Sequence, residues 1–152
     1  MNKTALVGLA FLLACGPAGP EPVEGAGEFS ALQTMSQNGV YHVELTPSVD
    51  HIHAADPFDI IVQVHMPDQG ATPADLTLFV DAFMPLDGHG FLGDDPAISG
   101  GTDGVFDVTG VHLNHGNEVW ELYFDLTSAG VTERATFEVI PDGTEGEHDH
   151  EH

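Results

Sequence analysis

Residues 120–126, WELYFDL, alternate without a break. Trp120, Leu122, Phe124 and Leu126 fall on one side, and Glu121, Tyr123 and Asp125 on the other. A period of two sends successive side chains to opposite faces of an extended chain, so this segment reads as a strand with one buried face. The pattern recurs. In 40–45, Tyr41, Val43 and Leu45 oppose His42 and Glu44. In 58–66, Phe58, Ile60, Val62 and Val64 oppose Asp59, Gln63 and His65. In 76–83, Leu76, Leu78 and Val80 oppose Thr77, Phe79 and Asp81. Segments 105–113 and 134–140 complete the set, and 29–35 reads either as a short edge strand or as a packed lead-in. Turn-forming runs such as Pro67-Asp68-Gln69-Gly70 and Ser128-Ala129-Gly130 separate the strands. The expectation is an all-β chain over 38–141, an immunoglobulin-like antiparallel β-sandwich of six or seven strands, with a barrel as its nearest competitor.

The first fourteen residues belong to no fold. Lys3 supplies a positive start, and an apolar stretch follows over 5–13, about half of what a spanning helix needs. It ends in Leu12-Leu13-Ala14-Cys15, which resembles the lipobox of bacterial lipoproteins. That resemblance implies a signal peptide over 1–14, cleavage before Cys15, and acylation of Cys15 on its sulfur and new amino group. Several acyl chains would hold the protein stably on a membrane, where one alone would not. Gly16 after the cysteine favours an outer-membrane destination, on the periplasmic or surface side. Residues 16–28, GPAGPEPVEGAGE, have almost nothing to bury, so 15–37 reads as a lipidated cysteine and its flexible tether. Cys15 is the only cysteine, which excludes disulfides and thiolate metal sites from the domain.

Charge narrows the partners. Loss of Lys3 leaves Arg134 as the single basic residue against 25 acidic ones. The mature chain is then one unit more negative than the −23 of the whole. Nucleic acid is excluded, because its binding depends on Lys and Arg, and anionic headgroups are disfavoured for the same reason. Such a field attracts cations and basic proteins; it also suits solvation in a saline habitat.

Ten histidines beside one arginine form an unusual balance. The terminus 142–152 is polar and acidic and carries His148, His150 and His152 with carboxylates between them, a local chelator for divalent metals. His51 and His53 point to one side if the chain there is extended. His42 and His65 read as solvated, outward residues of their strands. His112 and His115 lie near a strand end, and His89 lies in a loop. Imidazole with carboxylate suits Cu(II), Zn or Ni, and a closed structural zinc site is disfavoured without thiolates. Asp94, Asp95 and Asp103 do not follow the EF-hand spacing for calcium.

The loop Met84-Pro85-Leu86-Asp87-Gly88-His89-Gly90 is either a tight turn whose glycines supply positive φ or a rim of ligands centred on His89. With Pro96, Gly104, Phe106, Gly116 and Trp120, the residues Met84, Pro85, Gly88, His89 and Gly90 resemble the YtkA-like domain family. These are immunoglobulin-like sandwiches of the bacterial envelope, related to FixH-type domains. The resemblance covers roughly 38–140 and implies an association with copper handling. Two departures stand out. Leu86-Asp87 replaces a second loop methionine, and His115-Gly116 stands where the family tends to carry Met near Gly. Both shift the expected ligands from thioether toward histidine.

The leading expectation is a non-enzymatic, lipid-anchored envelope protein that binds or buffers a transition metal, copper first and zinc next. Its site residues would be His89 with His112 or His115, Met84, and the terminal His148, His150 and His152. The alternative is a metal-free interaction or assembly module with an envelope protein as partner. No nucleophile elbow, HExxH, P-loop or paired-carboxylate signature points to catalysis.

Overall fold

The computed structural model describes residues 25–143 apart from Gln69, Gly70 and Leu92. Strands β1 (Glu28–Phe29), β2 (Gln33–Met35), β3 (His42–Pro47), β4 (Phe58–His65), β5 (Thr77–Phe83), β6 (Ala97–Gly100), β7 (Val105–Val111), β8 (Trp120–Ser128) and β9 (Val131–Ile140) follow one another, with one 3-10 turn at Thr102–Gly104. They build two antiparallel sheets, β1-β9-β8-β5 and β2-β3-β4-β7-β6. The all-β expectation holds, and the architecture is a two-layer sandwich.

Alternation explains the layers. Val43, Val62, Val64 and Val108 of one sheet face Val80, Trp120, Leu122, Phe124, Leu126 and Ala135 of the other, all buried in one core. The outward residues between them are exposed or half-buried; Phe79 keeps half its surface and Ile61 nearly as much. One bulge interrupts the central ladder, where the β4–β7 register shifts between Phe58 and Ile60. Gly110 takes a φ of 78° there and donates its N–H to the Asp59 carboxylate at 2.9 Å.

The strand count departs from the expected six or seven. Residues 28–35 form two short strands, one on each sheet, so the sandwich starts at Glu28, within the expected tether. β6 is a four-residue edge strand with no alternation in its residues. These elements are held by backbone pairing on a neighbour, and two to four residues are too few to show a period.

The core is closed at one corner by a carboxylate. Glu133 lies on the inward phase of β9 and is only 6% exposed. Its oxygens accept from the Ser36 hydroxyl at 3.1 Å, the Asn38 N–H at 3.1 Å and the Asn38 amide at 2.9 Å. These bonds hold its carboxyl below the usual range, the Asn38 side chain contributing most. They tie the β2–β3 turn of one sheet to β9 of the other. Arg134, the one Lys or Arg among the described residues, is bound by both Asp125 oxygens at 2.6 and 2.7 Å and lies 4.4 Å over the Tyr123 ring.

A histidine rim at one end of the sandwich

The connections β3–β4, β5–β6 and β7–β8 and the segment after β9 meet at one end. Backbone hydrogen bonds lace them together: Ala55 N–H to Leu113 O at 2.8 Å, Ala54 N–H to Asp142 O at 2.8 Å, Asp142 N–H to Ile52 O at 2.8 Å, and Asn117 N–H to Pro141 O at 2.7 Å. This end carries His51, His53, His89, His112 and His115.

His89 is seated from two directions. Below it, the loop folds back on the end of β5. The Met84 N–H donates to His89 O and the Gly88 N–H to Met84 O, both at 2.9 Å. Gly88 adopts a φ of 73°, and a Cβ on Gly90 would stand 2.7 Å from the Ala82 carbonyl oxygen, so both glycines are needed to close the turn. Beside it, the fully buried Trp120 meets the His89 ring edge-on, centroids 5.9 Å apart. The Trp120 indole N–H donates to His115 O at 3.0 Å. That bond positions His115, whose ring lies 5.1 Å from that of His89.

The result is a donor group. Asp87, His89 and His115 each offer one ligand atom, all within 4.8 Å of one another, with Asp87 Oδ2 4.0 Å from His89 Nε2. His115 is the histidine that approaches. His112 is half-buried away from the group, its Nε2 buried without a hydrogen-bond partner. Met84 is fully buried in the core, so it serves the loop through its backbone, and its thioether takes no place in the group.

A second group stands on the same end. His51 and His53 do point to one side, ring centroids 4.8 Å apart. They share Asp142 Oδ2, at 3.3 Å from His51 Nε2 and 3.6 Å from His53 Nδ1. His53 Nδ1 is buried and has no hydrogen-bond partner. A buried nitrogen aimed at a shared carboxylate oxygen lacks one bond, and a metal ion fits that lack. His51 takes its place only because residue 27 is glycine, since a Cβ there would overlap its ring.

Imidazole and carboxylate donors with no thiolate are the set that Cu(II) and Zn(II) accept, with Cu(II) bound more tightly at a given N/O site. The rim therefore fits copper as Cu(II) and zinc as a weaker competitor. Sequence reasoning finds His89 and His115 but misses Asp87 as a third donor and Asp142 as the acceptor joining His51 to His53. Cys15 with its signal, and His148, His150 and His152, lie outside the described residues. No family model matches the chain, and no curated protein or solved structure matches it either.

Proposed function

We propose that the chain is a lipid-anchored envelope protein whose sandwich binds and buffers a transition metal, copper first, at Asp87, His89 and His115. The observation that carries this reading is the convergence of those three donors on loops held by Trp120 and by the Met84 backbone. Charge supports it. Arg134 is already matched to Asp125, so among the described residues no Lys or Arg is left to neutralise the rim carboxylates, and a cation from solution is favoured there. The terminus adds His148, His150 and His152 within nine residues of Gly143, which adjoins Asn117 at the rim. In this reading the terminus captures metal and the rim holds it. The lipobox at Cys15 and the resemblance to YtkA-like envelope domains point the same way.

The test is a Cu(II) and Zn(II) titration of the mature chain carrying Cys15→Ser, followed through the single tryptophan. Trp120 lies against the His89 ring, so Cu(II) bound at His89 quenches it, and the same titration of a chain ending at Gly143 separates that signal from metal held by the terminus. The reading requires saturable quenching that His89→Ala abolishes. Equal quenching in that variant, or none in the parent chain, overturns it.

One observation favours the interaction module instead. Leu86, in the same loop, is 74% exposed and lines a shallow groove with Pro85, Asn117, Glu118 and Val119. An apolar side chain held in solvent beside the rim suits a protein partner. A photo-crosslinking residue at position 86 that gives one discrete adduct in membranes would support that reading; crosslinks only to lipid or none would remove it.

A further inference from the structure

The outward face of the five-stranded sheet carries a third cluster. In β3 and β4, His42 pairs directly with His65 in antiparallel register, which places both rings on one face. His42 Nδ1 and His65 Nε2 lie 3.1 Å apart, and the ring centroids are 4.7 Å apart. Glu44, two residues along the same strand and therefore on the same face, brings Oε1 to 3.5 Å from His42 Nδ1. The three donor atoms lie within 4.8 Å of one another. Met35 of β2 pairs with His42 from the other side and is 42% exposed.

The sequence alone reads His42 and His65 as two solvated side chains. Instead the rings are half-buried and each occupies the other's polar edge. The spacing has a chemical meaning. Two imidazole nitrogens bound cis to one ion at metal–nitrogen distances near 2.0–2.1 Å stand about 2.9–3.4 Å apart, from square-planar to tetrahedral angles. The 3.1 Å separation of His42 and His65 falls inside that window. A small outward shift of the Glu44 carboxylate completes a three-donor set open to solvent on its fourth side.

Both histidines lie on paired strands in the middle of a sheet, where backbone hydrogen bonds fix the separation of their Cα atoms. Sites built on such elements hold their geometry better than sites on loops. We infer that His42, Glu44 and His65 form a further divalent transition-metal site, an N2O set selective for Cu(II) over Zn(II). Met35 flanks it as a soft donor available to Cu(I).

This site is independent of the rim. His42 begins β3 and His65 ends β4, whereas the rim lies at the opposite ends of those strands. The seven steps from Phe58 to His65 span roughly 23 Å, so no single ion serves both. A chain with both sites would carry metal at each end of one sandwich.

The test is amide NMR of the mature 15N-labelled chain carrying Cys15→Ser, with Cu(II) added to several equivalents so that rim and terminus cannot exhaust it. Cu(II) broadens the signals of residues close to it. Expected is broadening of Met35, His42, Glu44 and His65 in the parent chain and in His89→Ala, lost in His65→Gln and in Glu44→Gln. Glu44 is half-exposed, so Glu44→Gln keeps the fold if His65→Gln does not, and the same spectra report it. Sharp signals at these residues with excess Cu(II) overturn the inference, as does broadening that survives both substitutions. Broadening at His89 and His115 is read separately in the same spectra, so the two sites stand or fall apart.

Discussion

Trp120 and His115 are joined by a 3.0 Å hydrogen bond from the indole N–H to the main-chain oxygen, and through it the largest fully buried side chain of the core sets the position of a rim histidine. The indole body lies fully buried in the core, and its edge reaches the loop that carries the donors. Trp120→Phe keeps most of the apolar volume and removes the donor. It should destabilise the fold by about 1–3 kcal/mol, from a lost hydrogen bond and a partly empty site. It should also weaken Cu(II) binding at the rim, because His115 loses its anchor. Thermal melts with and without Cu(II) read both effects. An unchanged gain in melting temperature on adding Cu(II) would show that the bond is structural only.

Glu133 makes a prediction about acid. Its hydrogen bonds to Asn38 and Ser36 lower its folded pKa, so its contribution to stability is whole above the unfolded value of 4.5. It is lost as pH falls below that value through the folded one. The 25 acidic groups act in the opposite direction, since their protonation relieves repulsion. The difference between the parent chain and Glu133→Gln isolates the single group. Glu133→Gln should cost on the order of 1 kcal/mol at neutral pH, and the gap should close as pH falls below 4.5. A gap that stays constant with pH would mean that shape, not charge, holds the corner.

The layers are legible because a half-buried strand writes its two faces directly into the residues. Tyr41, Val43 and Leu45, or Trp120 through Leu126, can be assigned by counting in twos. β1, β2 and β6 escape that reading, since their stability lies in bonds to a neighbour rather than in their own side chains. The donor clusters escape it for a different reason. Which histidines meet depends on register and on loop convergence. The pairing of His42 with His65 requires knowing that β3 and β4 are offset to match those two positions. The choice of His115 over His112 depends on Trp120 reaching three residues past His112 to hold the chain. Asp142 reads as the domain's end, and only its bridge to His53 makes it part of a site.

The charge predicts a response to salt. With Arg134 held by Asp125, nearly every other carboxylate of the mature chain lacks a basic partner. Their mutual repulsion is screened as the Debye length shortens from about 30 Å at 0.01 M salt to about 8 Å at 0.15 M. The melting temperature should rise over that range in NaCl. Divalent transition metal should raise it further at concentrations too low to screen, because it acts by site binding. A flat NaCl profile would show the charges too dispersed to matter.

The two loop glycines separate the turn from the ligand rim. Gly88 has a φ of 73° and open space around its Cβ position, so Gly88→Ala meets only backbone strain, about 1 kcal/mol. Gly90 has no such φ, but its Cβ would press within 2.7 Å of the Ala82 oxygen, and backbone there cannot yield cheaply. Gly90→Ala should push the loop off β5, break the Met84–His89 bridge and carry the His89 ring away from His115. If the loop is a ligand rim, Gly90→Ala loses the Cu(II) quenching of Trp120 while Gly88→Ala keeps most of it. If the loop is only a turn, the two variants differ in melting temperature alone, and quenching by Cu(II) follows neither.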